Sequence, residues 1–383
     1  MDAMQREIAS IPELLREHFT PFQEAIEAIL TPEMARQPTR ILLTGCGDSH
    51  HAAVAAEMAF QVLSGIDARG LTAMHCARYV LPQLAATRCQ ADWVVGISAS
   101  GQVARTLEAI ALAGKAGART FALTGTPGSP VAQAADHLLV ARVPALGPPL
   151  ERPTPGIRTY VAHLFMLYLL AIRLGEMRGH LAPGEAEEHR EALLALAQVG
   201  AEILAAAAET IPALVEGWTD AQEFGFLGAG PNYGTALFCA AKVLEASGDI
   251  AWGQDTEEWA HLQYFARRPD TPVVLLTPGG RDRSRAAEVA AATRAIGRRL
   301  AVVAPESARE IHQHALAGVA FPDGLPEVFS PLVLWIPGAL LAAHRSALLQ
   351  EPFFRAFGGG RNVEEGGGAS RIRTSVRWTE LPP

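Results

Sequence analysis

The chain has 383 residues, 49% of them hydrophobic and 19% charged, and a net charge of −8 at pH 7. That length allows two ordinary domains or one large one, and the composition supplies a sizeable core and argues against disorder. An acidic balance without a basic face excludes a general nucleic-acid binder, although local donors can still hold a small anion.

The cysteines, Cys46, Cys76, Cys89 and Cys239, form no CxxC pair, so neither a zinc site nor a disulfide framework is expected. Residues 1–14 carry no signal-peptide pattern, and no run of about 18 uninterrupted apolar residues marks a membrane span. A cytoplasmic chain with neither nucleic-acid nor membrane partner is the expectation. Pro331–Ala343, the most apolar candidate, contains Pro337 and Gly338 and reads as a buried helix.

Residues 1–37 read as amphipathic helix with turns at Pro12, Pro21 and Pro32. Arg40–Thr44 is a short apolar strand that runs into Gly45-Cys46-Gly47-Asp48-Ser49-His50-His51 and the alanine-rich helix Ala52–Leu63. Trp93–Ile97 is the next strand, followed by a serine loop and the helix Ala104–Ala116. Arg119–Leu123 and Leu138–Val143 are further strands, and helices cover Tyr160–Leu174 and much of Glu185–Ala207. The plan then repeats. Glu223–Leu227 is a strand, Gly228-Ala229-Gly230-Pro231-Asn232-Tyr233-Gly234 a loop, and a helix reaches about Ser247. Pro272–Leu276 is a strand closed by Thr277-Pro278-Gly279-Gly280, before the helix Ser284–Ile296 and the strand Arg299–Val303.

Strands that alternate with helices across short turns imply parallel sheets with helices on both faces. Ligands of such sheets sit outside the carboxyl ends of the strands, where all these loops lie. Neither glycine loop completes GxGxxG, because His50 and Tyr233 stand where close packing wants a small residue. No Walker, HExxH or GxSxG pattern occurs. The segment Ser98-Ala99-Ser100-Gly101-Gln102 is the most informative. A strand that ends in serines and glycine and opens a helix offers unpartnered backbone N–H groups, a positive dipole end and hydroxyl donors, which together suit a phosphate or similar anion. Equally, Ser98 or Ser100 serves as an ordinary helix cap. The tail from Glu351 to Pro383 holds two glycine triplets and arginines at 355, 361, 371, 373 and 377. It reads as a lid over an anionic substrate or as a frayed terminus, with Ile372, Val376 and Trp378 apolar enough to dock.

Taken together, these motifs resemble the double SIS (sugar isomerase) domain family, in the form of the isomerase half of glucosamine-6-phosphate synthase, over residues 38 to 380. Cys46-Gly47-Asp48-Ser49 resembles its Cys-Gly-Thr-Ser loop, and Ser98-Ala99-Ser100-Gly101-Gln102 its Ser-Gln-Ser-Gly-Glu loop. Phe226-Leu227-Gly228-Ala229-Gly230 resembles its Phe-Leu-Gly-Arg-Gly, Lys242-Val243-Leu244-Glu245 its Lys-x-x-Glu, and Thr374–Glu380 its Lys-Ser-Val-Thr-Val-Glu. His261 falls at the spacing of the family's Lys-His-Gly histidine.

The resemblance implies two tandem flavodoxin-like SIS domains. Residues 1–37 would be a helical lead, 38–210 the first domain, 211–348 the second, and 349–383 the tail. It also implies an aldose–ketose isomerase of a phosphorylated or otherwise anionic sugar, with no cofactor and no metal. Glu245 would move a proton between C1 and C2, assisted by Lys242. His261, lent by a neighbouring copy in a homodimer or larger assembly, or His50 would help open the ring. Gly47, Ser49, Ser98, Ala99, Ser100 and Gln102 would bind the substrate, with Arg158, Arg371 and Arg373 as further anion contacts. For each residue a plain structural role stands beside the functional one: a surface ion pair of Glu245 with Lys242, a buried or orienting His261, and an ion pair of Arg158 with Glu151.

The departures narrow the reading. Val103 replaces a phosphate-binding threonine, Gln102 a glutamate, and Thr374 the tail lysine that forms an imine, which a threonine cannot do. No glutaminase segment with its catalytic cysteine is expected. An aminosugar-phosphate deaminase or fructosamine-phosphate deglycase is the alternative, and a non-catalytic sugar-phosphate sensor a further one.

Overall fold

The computed structural model describes residues 1–85, 91–147, 153–359, 361 and 376–381. The chain forms two compact units. One joins residues 14–144, 158–194 and 357–383, the other residues 1–13, 145–157 and 195–356. They therefore interleave along the chain, unlike the consecutive segments expected from the sequence.

The first unit is built on five parallel strands, β1 (Arg40–Gly45), β2 (Asp67–Thr72), β3 (Asp92–Ile97), β4 (Arg119–Thr124) and β5 (His137–Val140), in the order β2-β1-β3-β4-β5. The other unit repeats this with β6 (Glu223–Gly228), β7 (Ile250–Asp255), β8 (Pro272–Leu276), β9 (Arg299–Pro305) and β10 (Ala317–Phe321), ordered β10-β9-β8-β6-β7. Both orders are the flavodoxin-like one, with a reversal between the first and third strands of each set. The central strands β3 and β8 are buried along their whole length, which explains their continuous apolar runs. The edge strands β2 and β7 are half exposed and polar, so no apolar run announced them; β10, also at an edge, is short and carries Gly318.

Strand alternation distributes the core. Leu42, Val94 and Ala122 pack against Ala109, Ile110 and Ala113 of the helix Ala104–Ala116. The helix Asp48–Ala59 lies against β1 and β2 and against the helix Arg158–Arg178, whose Tyr168 hydroxyl donates to the Ala55 carbonyl at 3.4 Å. In the other unit Leu227, Val273, Leu275 and Val302 pack on Val289 and Ala290 of the helix Arg283–Ala295. The helices Asn232–Ala246 and Ile336–Leu349 pack together, with Phe226 approaching Gly338.

Two expectations change. Pro21 lies inside the helix Ile11–Glu27 rather than at a turn. Three helices among the described residues are long and apolar enough to cross a membrane by length and composition, Arg158–Arg178, Pro183–Gly217 and Ser330–Leu349, although no uninterrupted apolar run marks them. The apolar windows of the first and third are 83% and 78% buried within the fold, that of the second 33%.

Each sheet brings a helix back onto its first strand through one glycine. A Cβ on Gly45 would stand 2.6 Å from the Ser49 Cβ, and one on Gly228 would stand 2.2 Å from the Asn232 carbonyl oxygen. Backbone cannot swing aside as a side chain can. Gly228→Ala is therefore expected to cost about 1–3 kcal/mol of stability, the usual scale of overpacking, as read by urea denaturation.

Candidate active site

The strand-order reversal leaves the carboxyl ends of β1 and β3 side by side in the first unit. After β1, Gly47 takes φ +55° and the helix Asp48–Ala59 begins with no side-chain cap. Ser49 is buried there, and burial pushes the half-buried His50 imidazole below its ordinary pKa. After β3, the buried Ser98 ties the turn: its N–H donates to the Leu123 carbonyl at 3.0 Å, and its hydroxyl oxygen accepts from the Gly101 N–H at 3.1 Å. The Ser100 hydroxyl oxygen accepts from the Gln102 N–H at 3.3 Å. Gly101 has φ +63°, and a Cβ there would collide with Ser129 Oγ at 1.9 Å, so the turn admits only glycine. Ala99, Ser100 and Gln102 are exposed, and the helix Ala104–Ala116 starts at Val103 without a side-chain cap. The serine reading and the helix-cap reading thus separate: both serines accept from loop N–H groups, and each keeps a hydroxyl proton to donate.

Two neighbours of this crevice were not picked out from the sequence. Asp48, in the first turn of its helix, lies 3.8 Å from His51 Nδ1. His163, on the helix Arg158–Arg178, is wholly buried, and desolvation pushes its pKa down to about 4 against the opposing pull of Asp48. Only burial distinguishes it from any other helical histidine, and a linear pattern does not show burial. Arg158 is itself buried and donates to the Pro144 carbonyl at 3.3 Å; Glu151 lies outside the described residues.

The other unit has the same crevice between β6 and β8 with different chemistry. Asn232 is fully buried and donates to Ser330 Oγ at 2.8 Å while accepting from the Thr235 hydroxyl at 3.0 Å. Thr277 repeats Ser98, its N–H donating to the Val303 carbonyl at 3.0 Å, but its hydroxyl donates to Asp282 Oδ1 at 2.8 Å. Burial, reinforced by the charge of Glu327, pushes Asp282 up to about 6 even though the Thr277 bond opposes the shift. Two acids in place of two serines make this crevice a poor anion seat.

On the helix Asn232–Ala246, Lys242 is completely buried, with its ammonium 4.7 Å from the Phe238 ring centre and 3.4 Å from the Gly156 carbonyl. It meets Glu245 Oε2 at 2.5 Å, and the Glu245 side chain stays 31% exposed. This is no surface ion pair: one partner is sealed in the core and fixes a carboxylate at the boundary. His261 closes the helix Thr256–His261. It is largely exposed and pairs through Nε2 with Glu257 at 2.8 Å, which His261 and Arg285 together hold below the usual carboxylate range. A buried role for His261 is thereby overturned, because its ring stands on the surface.

Arg371, Arg373 and Thr374 lie outside the described residues. Of the two described tail residues expected to dock, Trp378 does so, while the Val376 side chain is 89% exposed. Among the described residues no group of three or more His, Cys, Asp or Glu side chains is disposed to hold a metal ion.

Comparison with known proteins is consistent with these features. Residues 33–173 match the SIS domain family. A glutamine–fructose-6-phosphate aminotransferase (isomerizing) of Gloeobacter violaceus is 29% identical over 326 residues, which is 83% of this chain and 50% of that protein. The chain spans about half the length of the curated relatives it matches. The C-terminal domain of glucosamine-fructose-6-phosphate aminotransferase from Francisella tularensis superposes with a TM-score of 0.78 at 19% identity, covering 91% of this chain and 96% of that one. The tagatose-6-phosphate ketose/aldose isomerase of Escherichia coli superposes with a TM-score of 0.75 at 16% identity, covering 93% and 95%. Both share the fold.

His163 gives the first unit a specific acid sensitivity. Its folded pKa of about 4 lies below the ordinary 6.5, so the unfolded chain binds the extra proton between those values and stability falls as pH drops through that window. The loss attributable to it approaches about 3 kcal/mol at full protonation of the unfolded state. Asp282, raised in the fold, has the opposite sign and gains stability below pH 6. Urea denaturation at pH 7 and pH 4.5 should show a smaller acid-induced loss in His163→Gln than in the parent chain; an unchanged loss would show that His163 does not set it.

Proposed function

Starting from the match of residues 33–173 to the SIS domain family, we propose that the chain is an aldose–ketose isomerase for a phosphorylated or otherwise anionic sugar. The observation that carries this reading is the Lys242–Glu245 pair, a sealed ammonium holding a boundary carboxylate at 2.5 Å. Glu245 takes the proton from the carbon next to the sugar carbonyl. The electron pair of that C–H bond becomes the C=C bond of an enediol, and the carbonyl oxygen gains a proton. Return of the carbon-bound proton to the neighbouring carbon, with loss of the hydroxyl proton, exchanges aldose and ketose without any net change in atoms or electrons. Lys242 keeps Glu245 in one orientation.

Within the first unit the Ser98–Gln102 loop supplies the anion seat, with Gly47 and Ser49 at the end of the neighbouring strand β1, and Arg158 is a further anion contact. His50, whose burial favours the neutral imidazole, suits proton exchange with the ring oxygen during opening. His261 is exposed and therefore accessible to a second copy. No imine is needed, and none is available from Thr374.

A second reading, deaminase or deglycase, draws on Asp48. A carboxylate in the first turn of the helix Asp48–Ala59 takes up the positive end of that dipole and offers its charge to an amine. The same proton transfer beside an amino group would then release ammonia or an amino acid.

Proton NMR in heavy water with hexose phosphates, amino sugar phosphates and fructosamine phosphates tests both readings. The isomerase reading expects deuterium at C1 or C2 without release of nitrogen; ammonia or amino-acid release would replace it with the second. Glu245→Gln should lower exchange by about 10²- to 10⁴-fold while ligand affinity is kept. Binding without exchange in the parent chain would contradict both readings and leave a sensor. Ser100→Ala should raise the dissociation constant of the anionic sugar about fivefold to tenfold, the scale of one lost hydrogen bond, as read by calorimetry.

A further inference from the structure

The last described residues, Val376–Leu381, lie along the helix Ala104–Ala116 within the first unit. The Trp378 backbone N–H donates to Glu108 Oε2 at 3.0 Å, and the Arg78 guanidinium stands 4.8 Å from the Trp378 ring centre. Arg105 donates to the Val376 carbonyl at 2.5 Å. Lys115 donates to the Thr379 carbonyl and pairs with Glu380, both at 2.5 Å. Leu381 packs on the apolar cluster that includes Ala109 and Ala113.

Glu108 organises this face. Its side chain is fully buried, Arg78 Nε donates to Oε1 at 2.6 Å, and Arg105 bonds to Oε2. A buried carboxylate is tolerable only when its lone pairs are filled, and the peptide N–H fills part of one oxygen. Two carbonyls and one N–H of the segment are therefore read by charged side chains, which gives binding to an extended backbone. Selectivity comes from three positions. The aromatic ring under Arg78 gains a cation–π contact, the acid at 380 meets Lys115, and the aliphatic residue at 381 meets the core. Residues 376–380 are all exposed, and the side chains of Val376, Arg377 and Thr379 take no part in the contacts named above.

We propose that the face formed by Arg78, Arg105, Glu108 and Lys115 is a peptide-binding site for an extended segment with the pattern tryptophan, any residue, acid, aliphatic, and that its resident ligand is the C-terminal segment of this chain. The face shares the helix Ala104–Ala116 with the proposed anion seat, but its argument rests on the tail contacts and not on the catalytic reading.

Hydrogen exchange read by mass spectrometry on the full chain tests residency. Amides of 377–381 should exchange about tenfold or more slowly than in the free peptide. They should reach the free-peptide rate in the double variant Arg78→Ala, Lys115→Ala, with β1 and β3 still protected. Recognition is tested by adding a fluorescent peptide, Val-Arg-Trp-Thr-Glu-Leu, to the full chain carrying Trp378→Ala, whose own segment is weakened. Saturable binding is expected, lost when alanine replaces the tryptophan of the peptide. Free-peptide exchange in the parent chain, or binding indifferent to the peptide's tryptophan, would overturn the proposal.

Discussion

In each sheet the first and third strands lie side by side while their chains run off in opposite directions. Crossovers between parallel strands are right-handed, so the helices leaving these neighbours go to opposite faces and part at the strand ends. A crevice lined by two helix starts results, and everything proposed for the first unit rests on it. The crevice exists because the helix after β1 can return directly onto its strand. That return needs a residue without a side chain at Gly45, and the equivalent return after β6 needs one at Gly228.

Topology provides the place and side chains decide its use. The two sheets share one strand order, and Ser98 and Thr277 donate to their adjoining strands' carbonyls in the same way, each through its backbone N–H at 3.0 Å. The first crevice then offers hydroxyls and uncapped helix starts. The second is filled by Asn232 bonded to Ser330 and bears the carboxyl groups of Asp282 and Glu327. The second unit holds the sealed Lys242 with Glu245. Burying a lysine is costly unless its charge is met; a carboxylate, a carbonyl and an aromatic face meet it here.

Much of the fold was legible because buried parallel strands must be apolar on both faces. Trp93–Ile97 and Pro272–Leu276 could hardly be anything else. The edge strand β2 was missed for the converse reason: an edge strand with one solvated face can read Asp-Ala-Arg-Gly-Leu-Thr; β7 and β10 are short and are interrupted by Gly253 and Gly318. The serine loop and the Lys242–Glu245 spacing were legible as local chemistry. His163, Asp282 and Glu108 were not, since what sets them apart is burial among residues distant in sequence. His261 shows the limit from the other side, for its spacing was readable but its exposure was not. The tail was half legible: Trp378 is held by Arg78 over its ring and by Glu108 at its N–H rather than by apolar burial, whereas Val376 contributes only its backbone carbonyl.

The account stands or falls on the first crevice being the anion seat. The most direct measurement is a crystal structure of the full chain grown with a hexose phosphate. The phosphate should lie against Ser98, Ser100 and the first N–H groups of the helix Ala104–Ala116. A phosphate found at Thr277–Arg281, or bound away from both strand-end crevices, would contradict it.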